Sequence, residues 1–520
     1  MGWWVGKNFF FHDVCFDMTR VIAVLLVLCS EVSAKLVLPT RPPRGVNSFD
    51  IQFDRRSNSS VPVWNETEFR RLATGMAQQL LPFGYDTIVI DGGWSGSTVD
   101  VHGRPNPDVA MWPSAAGGNG FKPLADWTHS LGLKFGVWTL RGVLPAAVRA
   151  KLPVLGAHPP ATLDQVAQVC TSAHDRWCNC TWDKQGVGLN PQHPAAQSFY
   201  NSLVMLYASW GVDLIKWDCM YENANAGIGE PGAYAAEAVL ALNAVKSVER
   251  PITLSWSPGG GMSDDSAAWM TDAPGTQRAP AGIASPPGVR GSMFRATGDF
   301  HSRPVTWVDG LGEHLFVLGN LSSRHLVGTN HSFADADILD LGPDSAFFGT
   351  PAAQLHSAMW MMAKSPLMYG GQLPITDNAT LDLVTNPLAL LINSHSEHDL
   401  NVAYEGDCSC KPKSGYACHP YNAPGALPCV ATWWSTLGKC KAVAVLNVGA
   451  VAAPAVHVTY AQIGASAGAH VTDVYGKRTW TPSGASPGFD VSVPGLGGVL
   501  LIVAPQGTAP AACVAAVHAH

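Results

Sequence analysis

Over most of the first 395 residues, short apolar runs ending in a charged or indole side chain alternate with amphipathic helical patterns. The clearest run is Leu214-Ile215-Lys216-Trp217-Asp218, which follows a helical pattern over 194–210. Such a run, with no regular polar alternation, reads as a strand buried on both faces of a parallel sheet. Comparable runs lie at 45–49, 87–91, 134–139, 252–256, 292–295, 337–341 and 367–370, eight in all. Helical patterns over 66–81, 121–131, 231–248 and 351–363 separate several of them. Strands alternating with helices require crossover connections and hence parallel pairing. Eight such units in about 350 residues predict an α/β (β/α)8 TIM barrel over 36–395. A doubly wound open sheet is the alternative, but no G-x-G-x-x-G follows the first strand.

The texture changes near residue 396. Short runs at 442–447, 455–460, 470–475, 489–493 and 498–503 are separated by Gly, Pro and Ser. That spacing predicts a small C-terminal antiparallel β-sandwich domain over 396–508, with 509–520 as a tail that Cys513 partly ties down. The length, 520 residues, suits a large barrel with a smaller companion.

At the other end, Arg20 precedes an apolar stretch over 21–29, and Val32-Ser33-Ala34 offers a small-residue cleavage site. Residues 1–34 therefore read as a signal peptide with a long leader, an uncleaved anchor being the alternative. No later stretch is long enough to span a bilayer, so no membrane association is expected beyond the leader. Sequons at Asn58, Asn65, Asn179, Asn320, Asn330 and Asn378 agree with passage through the secretory pathway, to the medium or to a vacuole or lysosome. Twelve cysteines become ten once Cys15 and Cys29 leave with the leader. An even count in a secreted chain favours disulfides over zinc, since no C-x-x-C accompanies it. The net charge of −7 is spread without basic runs, which gives nucleic acid no electrostatic footprint.

At the ends of the predicted strands stand Asp91, Trp138, Lys216, Asp218, Ser257, Arg295, Asp299 and Asp337. In a barrel these would converge at one mouth. Neither a metal cluster nor a Ser-His-Asp order is apparent, and no cofactor is implied. Two carboxylates about a small polar substrate are what glycoside hydrolysis requires, although a proton-transfer enzyme has similar needs. The bland reading makes Asp91 and Asp218 helix N-caps and Asp299 a solvated loop carboxylate.

Several segments carry more information in combination. They are Arg44-Gly45-Val46-Asn47-Ser48-Phe49, Ile90-Asp91-Gly92-Gly93-Trp94, Lys134-Phe135-Gly136-Val137-Trp138, Lys216-Trp217-Asp218-Cys219, Arg295-Ala296-Thr297-Gly298-Asp299, Asp335-Ala336-Asp337-Ile338 and the run from Trp360 to Gly370. In this order and spacing the chain resembles the α-galactosidase (melibiase) family, glycoside hydrolase family 27, from about residue 42 to 393. Around 107–114 and 207–213 it is most similar to plant members that act as β-L-arabinopyranosidases as well as α-galactosidases.

The resemblance implies a retaining exo-glycosidase acting on galactosides or arabinopyranosides. Asp218 matches the nucleophile and Asp299 the acid/base. Asp91, Lys216, Arg295 and Asp337 match polar contacts to the sugar, and Trp138, Phe49, Trp94 and Ser257 match its walls and remaining hydroxyl contacts. Lys216 shares a strand face with Asp218 and is expected to keep that carboxylate ionised. An acid/base needs surroundings that keep its proton, and a close Arg295 would work against that. Cys219 is expected to pair with Cys178 or Cys180. The chain departs from the family where G-W-N-S-W becomes Gly45-Val46-Asn47-Ser48-Phe49, and where D-D-C-W becomes Asp91-Gly92-Gly93-Trp94. A missing carboxylate at Gly92 implies relaxed choice between galactose and its pentose counterpart. An inactive carbohydrate-binding relative and a transglycosylase remain as alternatives.

Overall fold

In the computed structural model, the described residues are 36–52, 63–168, 180, 186–220, 232–257, 290–300, 307–323, 325–327, 331–406, 429–483 and 486–514. The leader, the tail beyond 514, Asn58, Asn179, Asn330, Cys170, Cys178, Cys408, Cys410 and Cys418 lie outside them.

The barrel order is β1 (Arg44–Asn47), α1 (Glu66–Gln79), β2 (Thr87–Ile90), α2 (Lys122–Ser130), β3 (Lys134–Leu140), α3 (Pro194–Trp210), β4 (Leu214–Asp218), α4 (Gly232–Ser247), β5 (Thr253–Ser257), β6 (Met293–Arg295), α5 (Trp307–Ser323), β7 (Phe333–Asp335), α6 (Pro351–Met362) and β8 (Leu367–Tyr369). Local chemistry sets several ends. Asn65 caps α1 by accepting from the Glu68 N–H, Pro194 opens α3, and Gly211 closes α3 in a left-handed conformation at φ 88°. Proline tolerates the first helical turn, and glycine carries the positive φ that a helix stop needs.

The eight strands form one parallel sheet in the order β7-β6-β5-β4-β3-β2-β1-β8. Its seam is bridged by Leu339, whose N–H donates to Met368 O at 2.8 Å and whose carbonyl accepts from Gly370 N at 3.2 Å. Val89, Leu214, Met293 and Met368, one each from β2, β4, β6 and β8, pack with Phe333 into a plug. Layers drawn from alternate strands are how such barrels fill their interior. Because side chains alternate with period two, the inward residues above this plug are Asp91, Lys216 and Arg295, with Asp335 after Phe333 and Asp218 a further step up. The plug fixes the height of the site.

One strand lies elsewhere than the sequence predicts. The seventh is expected at 337–341 and is Phe333–Asp335. Asp337 has φ 77°, a left-handed conformation that breaks an extended run, and the apolar residues after it serve the seam and wall instead. The other strands fall within one or two residues of expectation.

After two helices, α7 (Asn378–Thr385) and α8 (Pro387–His395), comes a six-stranded antiparallel sheet in the order β14-β13-β16-β11-β10-β9, with a separate pair β12-β15. Its strands are β9 (Asn401–Gly406), β10 (Cys429–Leu437), β11 (Cys440–Asn447), β13 (His470–Asp473), β14 (Arg478–Trp480) and β16 (Gly497–Ala504), and the pair is β12 (Ala453–Thr459) with β15 (Gly488–Val493). The inner faces share a Val-rich core. Gly498 lets β16 approach α6, for a Cβ there would stand 2.6 Å from Leu355 Cα. Cys513 pairs with Cys440, tying the end of the chain to β11 as expected.

Candidate active site

At the carboxyl end of the barrel lies a cavity of about 790 Å³, and its lining includes Phe49, Asp91, Gly92, Trp94, Trp138, Lys216, Asp218, Ser257, Arg295, Asp299 and Asp337. All ten side chains singled out from sequence, and Gly92, are therefore brought to one place. Their pairing is more specific than their convergence.

Asp91, the first residue past β2, is buried. Its Oδ2 accepts from Asn47 Nδ2 at 2.9 Å and from Lys216 Nζ at 2.8 Å, while Oδ1 accepts from the Gly92 N–H at 2.7 Å. Ser48 Oγ accepts from the Asp91 N–H at 2.9 Å. Asn47 thus braces Asp91, and Lys216 is bonded to Asp91 and not to Asp218. The expected Lys216–Asp218 partnership acts only across a gap. Burial pulls the Lys216 ammonium towards neutrality, but Asp91, then Asp218 and Asp337, outweigh it and raise its pKa.

Asp218 ends β4, in register with Leu140 of β3 and Ser257 of β5. Oδ2 accepts from Trp138 Nε1 at 2.9 Å and Oδ1 from the Cys219 N–H at 2.8 Å. Loss of solvent at the pocket floor pushes its carboxyl above the usual range; Lys216, Trp138, Ser257 and the Cys219 amide oppose that without cancelling it. Cys219 is left-handed at φ 60° and joined to Cys180, which selects between the two partners expected for it. The disulfide fixes the turn whose amide holds Asp218.

Trp94 donates from Nε1 to Trp138 O at 2.8 Å and packs edge-on against Tyr207 and Trp210, so it is a wall that props up β3. Phe49 is half-buried at the rim. Gly92 faces the Trp138 ring, and a Cβ there would lie 3.5 Å from it, an ordinary contact.

Across the cavity, Arg295 at the end of β6 gathers four acceptors. Its guanidinium contacts Asp337 Oδ1 at 2.9 Å, Asp299 Oδ1 at 3.0 Å, Gly298 O at 2.9 Å and Thr297 O at 3.3 Å. Burial pulls its pKa down, but Asp337, Asp299 and Asp335 more than compensate. The close Arg295–Asp299 contact foreseen from sequence is present. Asp299 differs sharply from Asp218 in setting, its side chain being 70% exposed.

Asp335 is a site residue that the sequence reading misses. It lies beneath Asp337, accepts from the Asp337 N–H at 2.9 Å, and is pushed up to about 6 by burial, against the pull of Arg295. Period-two spacing from Asp337 is the signal that could have found it. Ser48 and Gln52, which line or brace the Asp91 corner, carry no such signal.

No protein-family model matches the sequence. The α-galactosidase of Cyamopsis tetragonoloba is 25% identical over 353 residues, 68% of this chain, and the chain spans 64% of that relative's length. The α-galactosidase of Coffea arabica is 23% identical over 441 residues, 84% of this chain and 93% of that one. In three dimensions, a GH27 β-L-arabinopyranosidase from Geobacillus stearothermophilus superposes with a TM-score of 0.70 at 25% identity, covering 91% of this chain and 98% of that one. In sequence and in fold the chain is thus similar to α-galactosidases and to a glycoside hydrolase family 27 structure, in agreement with the resemblance carried by its motifs. These likenesses are to enzymes that act on carbohydrates, and they support a glycosidase scaffold.

Proposed function

We propose that this chain is a retaining exo-glycosidase that releases terminal α-D-galactose and β-L-arabinopyranose. The observation that carries the mechanism is the unlike setting of two carboxylates in one cavity: Asp218 fixed at the floor by Trp138 and the Cys219 amide, and Asp299 exposed at the rim. The division of roles between the two follows the motif match, which puts the nucleophile at Asp218 and the acid/base at Asp299. Asp218 attacks the anomeric carbon and forms a glycosyl ester while the glycosidic C–O bond breaks. Asp299 gives its proton to the departing oxygen, then takes one from the water that attacks the anomeric carbon of the ester. The ester bond breaks, and the carboxylate of Asp218 is restored. Lys216, Arg295 and Ser257 meet ring hydroxyls, and Trp138 and Phe49 meet apolar sugar faces.

The choice of sugar rests on Gly92 and Phe49. L-Arabinopyranose presents the galactose ring without its hydroxymethyl, and a pocket lacking one hydroxyl-binding carboxylate discriminates less between the two. A family-27 β-L-arabinopyranosidase among the similar structures supports this reading. The apolar stretch over 21–29, with Val32-Ser33-Ala34 behind it, supports entry into the secretory pathway.

The test is the anomer first released. Proton NMR during hydrolysis of p-nitrophenyl α-galactoside and p-nitrophenyl β-L-arabinopyranoside should show retention on both, and Asp218→Asn should abolish release. Inverted product would refute the double displacement, and turnover of the galactoside alone would refute the dual substrate.

A further inference from the structure

The segment after β6 is buried in its backbone and exposed only in its carboxylate. Ala296, Thr297 and Phe300 are buried, whereas the Asp299 side chain stands in the pocket. Alternate amides pin this arm. The Ala296 N–H donates to Asp335 O at 2.9 Å, the Gly298 N–H to Glu313 Oε1 at 3.2 Å and the Phe300 N–H to Asp337 Oδ2 at 2.7 Å. Asp337 has thereby committed both oxygens within the protein, Oδ1 to Arg295 and Oδ2 to Phe300.

The Phe300 ring points away from the pocket into an aromatic socket between α5 and α6. Ring centroids lie 4.7 Å away at His356, 4.9 Å at His314, 5.2 Å at Trp360 and 5.8 Å at Phe347. Two socket members also hold the loop after β7: Trp360 Nε1 donates to Asp337 O at 3.0 Å, and His314 Nε2 lies 2.9 Å from Ala336 O. One rigid body therefore carries both the Phe300 socket and the carboxylate that grips the Phe300 amide.

We propose that Phe300 is a positioning residue for the acid/base, its socketed ring and Asp337-bound amide setting where the neighbouring carboxylate meets the departing oxygen. This rests on the reading of Asp299 as acid/base. Proton transfer tolerates little error in placement, and the neighbouring Asp299 has no burial of its own to hold it.

The experiment compares kcat/KM for two glycosides of the faster-turned-over sugar, one with a methyl aglycone and one with 2,4-dinitrophenyl. Only the methyl aglycone needs a proton in order to leave. Phe300→Ala should lose about tenfold or more on the methyl glycoside and less than about threefold on the dinitrophenyl glycoside. Asp299→Ala should show the same pattern more steeply. Phe300→Leu, which keeps apolar bulk in the socket, should restore part of the loss. It also replaces the alanine variant if thermal unfolding shows that variant unfolded. An equal loss of Phe300→Ala on both aglycones, or no loss on either, overturns the inference while the leaving-group dependence of Asp299→Ala stands. An Asp299→Ala variant without that dependence overturns the acid/base reading and this inference with it.

Discussion

Trp138 offers a test of the role we propose for Asp218 as nucleophile. Its Nε1 donates to Asp218 Oδ2 at 2.9 Å, and the strand register places it directly beside Lys216 on β4. Burial already pushes the Asp218 carboxyl upward, and this hydrogen bond is among the groups that oppose it. Trp138→Phe keeps an aromatic face and removes the donor. A hydrogen bond to a charged group contributes about 1.5–3 kcal/mol, and each ~1.4 kcal/mol is about tenfold in the ratio of ionised to protonated carboxyl. The bond favours only the ionised form, so its loss should move the acidic limb of the kcat/KM profile to higher pH. Below that limb the variant should lose about tenfold or more relative to the parent, and above it the two should converge. Shrinking the indole also loosens the wall that faces Gly92. That effect lowers kcat/KM evenly across pH and leaves the limb in place, so a full profile with a p-nitrophenyl glycoside separates the two. A uniform drop with an unmoved limb would refute the argument and leave Trp138 as wall alone.

Two further outcomes can be checked directly. At Gly92 a Cβ makes ordinary contact with the Trp138 ring, so Gly92→Asp starts without a clash; the added carboxylate should raise the galactoside-to-arabinopyranoside ratio of kcat/KM by about tenfold or more, and an unchanged ratio would remove Gly92 from the specificity argument. Asp335 is raised from 3.8 to about 6, chiefly by burial. The folded chain therefore holds a proton there that the unfolded chain releases. The stability so contributed, about 3 kcal/mol, is present below about pH 4 and lost as pH rises through 6. Asp335→Asn should flatten the pH dependence of the melting temperature across that window, and an unaltered dependence would count against the burial account.

The parts legible in sequence are those that depend on period and on chain direction. A strand buried on both faces admits a charge only where it leaves the sheet, so Asp91, Lys216, Asp218 and Arg295 mark the barrel mouth by their positions in the chain alone. Partner choice is not legible. Lys216 and Asp91 are 125 positions apart and sit on strands separated by β3, so their bond is set by barrel curvature. The seventh strand misleads because Ile338, Leu339 and Leu341 look like a strand interior, whereas Asp337 at positive φ has already ended the strand. β9, β10 and β14 give too weak a pattern to be seen. The Cys, Gly and Pro of residues 408–440 suggest only turns, although Cys429–Leu437 is a strand of nine residues with both neighbours paired along it. The pairing of Cys219 needs three dimensions, since Cys178 and Cys180 are almost equally near in sequence.

The division of charge in the barrel mouth explains why the two unlike aspartates can coexist. Two cations, Lys216 and Arg295, face Asp91, Asp218, Asp335, Asp337 and Asp299. Lys216 bonds to Asp91, and Arg295 bonds to Asp337 and Asp299. Asp91 and Asp337 thereby organise donors, one holding Lys216 and the other gripping the Phe300 amide. Asp218 and Asp335 are the two for which burial prevails. For a nucleophile this arrangement has a chemical advantage. A lysine bonded straight to Asp218 would add a charged donor to oxygens that already accept from Trp138 and the Cys219 amide, and would weaken their attack on carbon. An indole N–H, a backbone amide and a cation held at a distance by Asp91 instead steady the charge while Asp218 still faces the cavity. The Lys216–Asp91 bond, which the sequence does not reveal, therefore keeps the ammonium off the carboxylate that we propose as nucleophile.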